Sequence, residues 1–166
     1  MDVKPRFVDI LEVLNRHGVD FIVVGGLAAV LHGAPVMTKD VDIVHDAAPE
    51  KIVPLLSALR EMNARYNDPA GRQIVPDADK LQSFRLNLLL TDMGPLDVLR
   101  IVGDGLTYAD LVSRSEEQQI GDFKVRVLGL EAIIETKLYA DRPKDRIAVM
   151  FLREILESEN SGSPKG

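Results

Sequence analysis

Apolar positions along the chain switch between helical and extended spacing several times. Phe7, Ile10, Leu11 and Leu14 fall at i, i+3, i+4 and i+7, which predicts an amphipathic first helix stopped at Gly18. FIVVGG then reads as a short, continuously apolar strand of the kind buried on both faces. LAAVLHG, after Gly26, is helix-prone and ends at Gly33 and Pro35. KDVDIVHD alternates as a strand does, with Asp40, Asp42 and Val44 on one face and Val41 and Ile43 on the other.

Pro49 suits the first turn of a helix whose apolar positions are Ile52, Leu55, Leu56 and Leu59. From Asn67 to Lys80 periodicity is lost among Pro, Gly and Asp, which predicts a loop or short helix and a candidate mobile lid. SFRLNLLLTD, DMGP and LDVLRIVG read as strand, turn and returning strand. Thr107 to Arg114 reads as a short helix. IGDFKVRVLGL reads as a further strand with its own turn at Gly121-Asp122. Two helices close the pattern, over 130–139 and 144–157, the second with Ala148, Phe151, Leu152 and Ile155 on one stripe. The expected fold class is α/β (α+β), with a mixed sheet, helices packed on one face and C-terminal helices. Residues 1–158 read as one domain and 159–166 as a disordered tail.

Composition narrows the chemistry. The 166 residues hold no cysteine, so disulfides, thiol nucleophiles and thiolate zinc sites are excluded. The absence of cysteine is compatible with a reducing cytoplasm, the expected location. The first helix has no unbroken apolar run of the signal-peptide kind, and nothing reaches the roughly 18 apolar residues of a membrane span. A formal net charge of -6 gives a whole-molecule field that does not favour nucleic acid, although a local basic patch can still hold RNA or phosphate.

The chemistry concentrates between residues 23 and 44, in VVGGLAAVLHGAPVMTKDVDIV. Strand alternation sets Asp40 and Asp42 on one face, where two carboxylates repel unless a cation lies between them. Hard oxygen ligands in this arrangement suit Mg²⁺, and two such ions can clamp the attacking and leaving oxygens of a phosphoryl or nucleotidyl transfer. Gly25 and Gly26 complement them, because a strand ending in Gly-Gly before a helix lets backbone approach a phosphate closely. Either element alone is more often plain turn chemistry or a solvated strand face. Their order along the chain carries more information.

On these residues the chain resembles the nucleotidyltransferase superfamily of the DNA-polymerase-β type, nearest to its minimal nucleotidyltransferases and the toxin components of abortive-infection systems. The resemblance implies that Gly25 and Gly26 contact phosphate and that Asp40 and Asp42 hold metal. It places the third carboxylate at Asp97 in GPLDVLRIV, with Asp92 as a nearby competitor. Asp97 is preferred because an apolar strand makes an unpartnered carboxylate costly. Thr38 and the C-terminal Lys137 and Lys144 would serve the nucleotide, beside Asp145. Val36 stands where many relatives carry arginine.

The implied activity is Mg²⁺-dependent transfer of a nucleoside monophosphate from an NTP to a hydroxyl of a tRNA, a protein or a small molecule. Two Mg²⁺ ions and an NTP such as ATP would be required, and a toxin–antitoxin setting would add a cognate partner protein. The rival reading is a non-catalytic, nucleotide-binding or regulatory module of the same fold. Among other polar residues, Arg142, Lys144 and Arg146 could hold phosphate or sit solvated, and Asp145 could pair with Arg142 or Lys137. His32 reads as a capping or packing residue. His17 and His45 lack zinc-ligand spacing, and Tyr139 and Phe84 read as core aromatics.

Overall fold

The computed structural model describes residues 6–161. The first helix, α1 (Phe7–Arg16), buries Ile10, Leu11 and Leu14 on the expected stripe, and Gly18 turns the chain at a left-handed φ of 72°. Strand β1 (Phe21–Val24) is buried throughout and leads directly into α2 (Gly25–Leu31). The helix therefore begins at Gly25, not after Gly26, and the glycine pair forms its first turn. Strand β2 (Val41–His45) follows, then α3 (Pro49–Glu61), which opens on its proline and buries Ile52, Leu55 and Leu59.

The chain then forms β3 (Arg65–Tyr66), a loop and α4 (Ala78–Ser83). The hairpin β4 (Leu86–Thr91) and β5 (Gly94–Leu99) turns at Asp92 and Met93 as its sequence indicates. The returning strand does not continue to Gly103, however. A bend at Arg100 breaks it, and β6 (Ile101–Val102) leaves the sheet to pair with β7 (Leu106–Thr107) as a separate ribbon. Thr107 caps α5 (Tyr108–Leu111), with Asp110 answering its backbone N–H, and a 3-10 turn ends at Arg114.

Two strands then stand where the sequence pattern indicates one: β8 (Ser115–Ile120) and β9 (Phe123–Leu128), joined at Gly121-Asp122. Helix α6 (Leu130–Ala140) and helix α7 (Pro143–Asn160) complete the fold. Glu159 and Asn160 thus extend the last helix beyond its expected end, and residues 162–166 of the expected tail lie outside the described residues.

The architecture is a mixed α/β one. Seven strands lie in the order β3-β4-β5-β2-β1-β9-β8. β2 sits between an antiparallel partner, β1, and a parallel partner, β5. β8 reads SEEQQI and forms one edge, where a polar, half-exposed strand resists pairing with another chain. α2 rests on β1, β2 and α6, while α1 contacts α3 and β9. Ile43, at the centre of β2, is fully buried between β1 and β5.

Truncating that residue tests how far the sheet's centre carries the fold. Ile43→Ala should lower the unfolding free energy by about 2–5 kcal/mol through lost burial and the cavity left behind. Urea unfolding would show this as a lower midpoint at an unchanged slope.

Candidate functional site

Register alone assembles most of the site. In the parallel pairing of β2 with β5, Asp42 lies opposite Asp97. In the antiparallel pairing of β2 with β1, Asp42 lies opposite Val24, so the chain following Val24 passes directly over the Asp42 carboxylate. A Cβ at Gly25 would stand 2.2 Å from Asp42 Oδ2, and Gly25 holds a left-handed φ of 66°. Any side chain there would both clash and strain the backbone. At Gly26 a Cβ would stand 2.9 Å from Thr38 Oγ1, and the Thr38 hydroxyl donates to the Asp40 carbonyl at 3.2 Å. The glycine pair is thus moulded around Asp42 of the aspartate motif and Thr38 just ahead of it.

Asp40, just ahead of β2, joins the other two. Asp40, Asp42 and Asp97 each present a carboxylate oxygen, and the three oxygens lie within 4.8 Å of one another. Asp92, the competitor for the third position, lies at the exposed hairpin turn beside Asn63 and Arg65 and is not part of this trio.

Burial pushes the Asp97 carboxyl up to about 8, with the neighbouring Asp42 charge adding to the effect. Asp42 is also raised, first by burial and then by the Asp40 charge, against the lowering influence of its hydrogen bond with Asp97. Its Oδ1 is buried with no hydrogen-bond partner among the described residues. A buried, partnerless carboxylate oxygen beside two further carboxylates is a costly arrangement that a divalent cation would relieve. An all-oxygen, all-carboxylate donor set suits Mg²⁺ or Mn²⁺, so the residues present fit the metal that the sequence implies.

A cavity of about 360 Å³ adjoins the trio. Gly25 and Asp42 form one wall, Leu86 and Leu99 another, and Thr136 and Lys137 of α6 a third, with Arg142 at the start of α7. Lys137 is largely buried, its Nζ 3.5 Å from Asp145 Oδ1. Its charge and that of Lys144 reach Asp42. Lys144 itself is exposed and does not line the cavity. Asp145 pairs with both Arg142 and Lys137, while Arg146 turns away to Asp141. No residue from 67–80, the candidate lid, lines the cavity.

The remaining residues have structural partners or none. His32 Nε2 sits 2.8 Å from the Leu128 carbonyl at the end of α2, and His17 pairs with Glu61. His45 is buried with both ring nitrogens unpartnered among the described residues. Val36 is a partly buried residue packed on the core. The expectation that Phe84 and Tyr139 are core aromatics is corrected: they are 45% and 63% exposed. Both sit at element ends, where apolarity is a poor guide to burial. Arg85 and Thr136 line the cavity although the sequence pattern gave no sign of them. A lone arginine ahead of LNLLLT and a threonine within a helix carry no periodic or motif signal.

Both the sequence and the fold are similar to those of known proteins. Residues 6–77 match a family described as "Nucleotidyltransferase of unknown function (DUF6036)". No curated protein matches the sequence. Among solved structures the fold is similar to the lincosamide antibiotic adenylyltransferase LnuA in its lincomycin-bound form, with a TM-score of 0.61 at 16% identity over 90% of this chain and 95% of that one. It is similar also to ANT(2'')-Ia in complex with adenylyl-2''-tobramycin, with a TM-score of 0.59 at 18% identity over 91% of this chain and 87% of that one. The Thermotoga maritima protein TM1012 gives a TM-score of 0.53 at 20% identity, over 95% and 96% of the two chains. The first half of the chain thus resembles a nucleotidyltransferase family, and the fold is that of solved nucleotidyltransferases.

The raised carboxylates make stability depend on pH in a definite direction. Folded Asp97 keeps a proton to about pH 8, whereas the unfolded chain releases it near about pH 4. Stability from this group is therefore complete below about pH 4 and is lost as pH rises toward about 8. In EDTA the melting temperature should fall across that window in the wild type and fall less in Asp97→Asn, which should be the more stable of the two at pH 8. Adding Mg²⁺ or Mn²⁺ at pH 8 should raise the wild-type melting temperature and leave that of the variant nearly unchanged.

Proposed function

We propose that the protein is a Mg²⁺-dependent nucleotidyltransferase that moves a nucleoside monophosphate from an NTP to an acceptor hydroxyl. The observation that carries this reading is the trio of Asp40, Asp42 and Asp97, closed on one side by a glycine turn that admits no side chain. Asp40 and Asp42 would hold two ions and Asp97 one of them. Bound there, the metal supplies positive charge to the phosphates and to the oxygens that attack and leave.

The chain's own residues then have separable roles. Gly25 and Gly26 leave room for phosphate against backbone, with Thr38 supporting the turn. Lys137 and Lys144 supply positive charge from the C-terminal helices toward the same place. Asp97 in its ionised form, beside Asp42, is placed to take the proton of the acceptor hydroxyl. The acceptor oxygen bonds to the α-phosphorus, the bond from that phosphorus to the oxygen bridging to the β-phosphate breaks, and pyrophosphate departs.

The neighbours favour ATP as donor and a small hydroxylated molecule as acceptor. LnuA is an adenylyltransferase bound to lincomycin, and ANT(2'')-Ia is bound to an adenylylated tobramycin. RNA and protein acceptors belong to the same chemistry. Among the described residues no helix is long and apolar enough to cross a membrane.

Incubation with α-³²P-labelled NTPs, Mg²⁺ and panels of hydroxylated small molecules, tRNA and protein tests the reading directly. Label should pass to an acceptor, and Asp40→Asn or Asp42→Asn should reduce the rate at least about 100-fold. Transfer that persists in the double variant would contradict the assignment. Stabilisation by Mg²⁺-NTP with no transfer would instead favour a binding module.

A further inference from the structure

Asp145 is 1% exposed, and an ion buried to that degree destabilises a fold unless it is paired and hydrogen-bonded. It is amply satisfied. Its carboxylate accepts the Arg142 backbone N–H at 3.1 Å, Arg142 Nε at 2.7 Å and Arg142 Nη2 at 3.2 Å, and Lys137 Nζ stands 3.5 Å from Oδ1. The backbone contact alone would serve to cap α7. The fork contact with the guanidinium and the approach of Lys137 exceed that requirement.

Two cations on one carboxylate leave one unit of positive charge over, and its direction is defined. Arg142 and Lys137 both line the cavity that contains Asp42 and Gly25. The fields of Lys137 and Asp42 reach one another, as do those of Arg142 and Asp42. Arg142 is held through Nε and Nη2, while Nη1 makes no hydrogen bond among the described residues. Its side chain remains 58% exposed and Lys137 only 11%. A guanidinium fixed at one edge and open at the other is preorganised for a phosphate oxygen, because part of its rotamer entropy has already been lost.

We infer that Asp145 is a positioning residue that holds Arg142 and Lys137 as a two-cation clamp facing Asp42, and that this clamp grips the polyphosphate tail of the donor nucleotide. The inference rests on the transferase reading above and adds to it a residue that binds phosphate, Arg142, and the residue that aims it. Lys137 anchors the buried side of the clamp, and Arg142 forms its solvent side.

Calorimetric titration of the full chain with Mg²⁺-tripolyphosphate and with a non-hydrolysable ATP analogue tests the clamp without requiring turnover. Arg142→Gln and Asp145→Asn should each weaken both ligands about ten-fold or more, the scale of one lost charged hydrogen bond. The double variant should bind no more weakly than the weaker single variant, because Asp145 acts through Arg142. Arg142→Lys should recover part of the loss.

Arg142→Gln leaves Asp145 its capping N–H and Lys137, so it should fold with a lowered melting temperature, and titration well below that temperature keeps the test readable even if Asp145→Asn fails to fold. If wild type binds and Arg142→Gln binds within two-fold of it, the clamp is overturned while the transferase reading stands. If the two binding losses add, Asp145 does not act through Arg142 and its positioning role is overturned. If wild type binds neither ligand, the clamp and the transferase reading are overturned together.

Discussion

The site depends on charge repulsion imposed by strand register. β2 and β5 run parallel with Asp42 opposite Asp97, and Asp40 completes a trio whose oxygens lie within 4.8 Å. Hydrophobic burial on the opposite face of the strands maintains that register, through Val41, Ile43, Leu96 and Val98. A one-residue slip would turn those side chains outward and the carboxylates into the core. The packing of the sheet therefore holds three like charges together, and burial, with their repulsion added, appears as raised proton affinity and as an Asp42 oxygen with no hydrogen-bond partner among the described residues. A cation of charge two or more would relieve that stress beyond what Lys137 and Lys144 do among the described residues.

The other site features follow from this constraint. Gly25 is required because β1 delivers its following residue onto the Asp42 carboxylate, where a Cβ would collide at 2.2 Å. The C-terminal helices supply the opposite charge. α6 brings Lys137 and the start of α7 brings Arg142, both tied to the buried Asp145. One end of the cleft is thus anionic and the adjoining wall cationic, the polarity needed to hold metal ions and phosphates side by side. Between them, Leu86, Leu99, Ile101 and Val102 give the cavity an apolar surface.

Much of this was legible in the order of residues, because the site is built from local motifs on strands with strong apolar signals. The Gly-Gly turn, the alternating aspartates and Asp97 within an apolar strand each carry a physical oddity that can be seen before folding. Other features were not legible, for physical reasons. β8 is an edge strand of SEEQQI, whose stability comes from pairing with β9 and not from burial, so no hydrophobic alternation marks it. LDVLRIVG reads as one strand because its apolar run does not register the bend at Arg100. Asp145 could be read as a partner of Arg142 or of Lys137, but that it pairs with both depends on how α6 docks on α7, a tertiary fact. The exposure of Phe84 and Tyr139 is likewise decided by neighbours distant in sequence.

Crystals grown with Mn²⁺ and a non-hydrolysable NTP, with data collected at the manganese edge, would test the central claim most directly. The account predicts anomalous density between Asp40, Asp42 and Asp97, at roughly 2 Å from their oxygens as a hard octahedral cation requires, with the triphosphate reaching the Gly25-Gly26 turn. Absence of anomalous density at the trio, with nucleotide bound elsewhere or not at all, would contradict it.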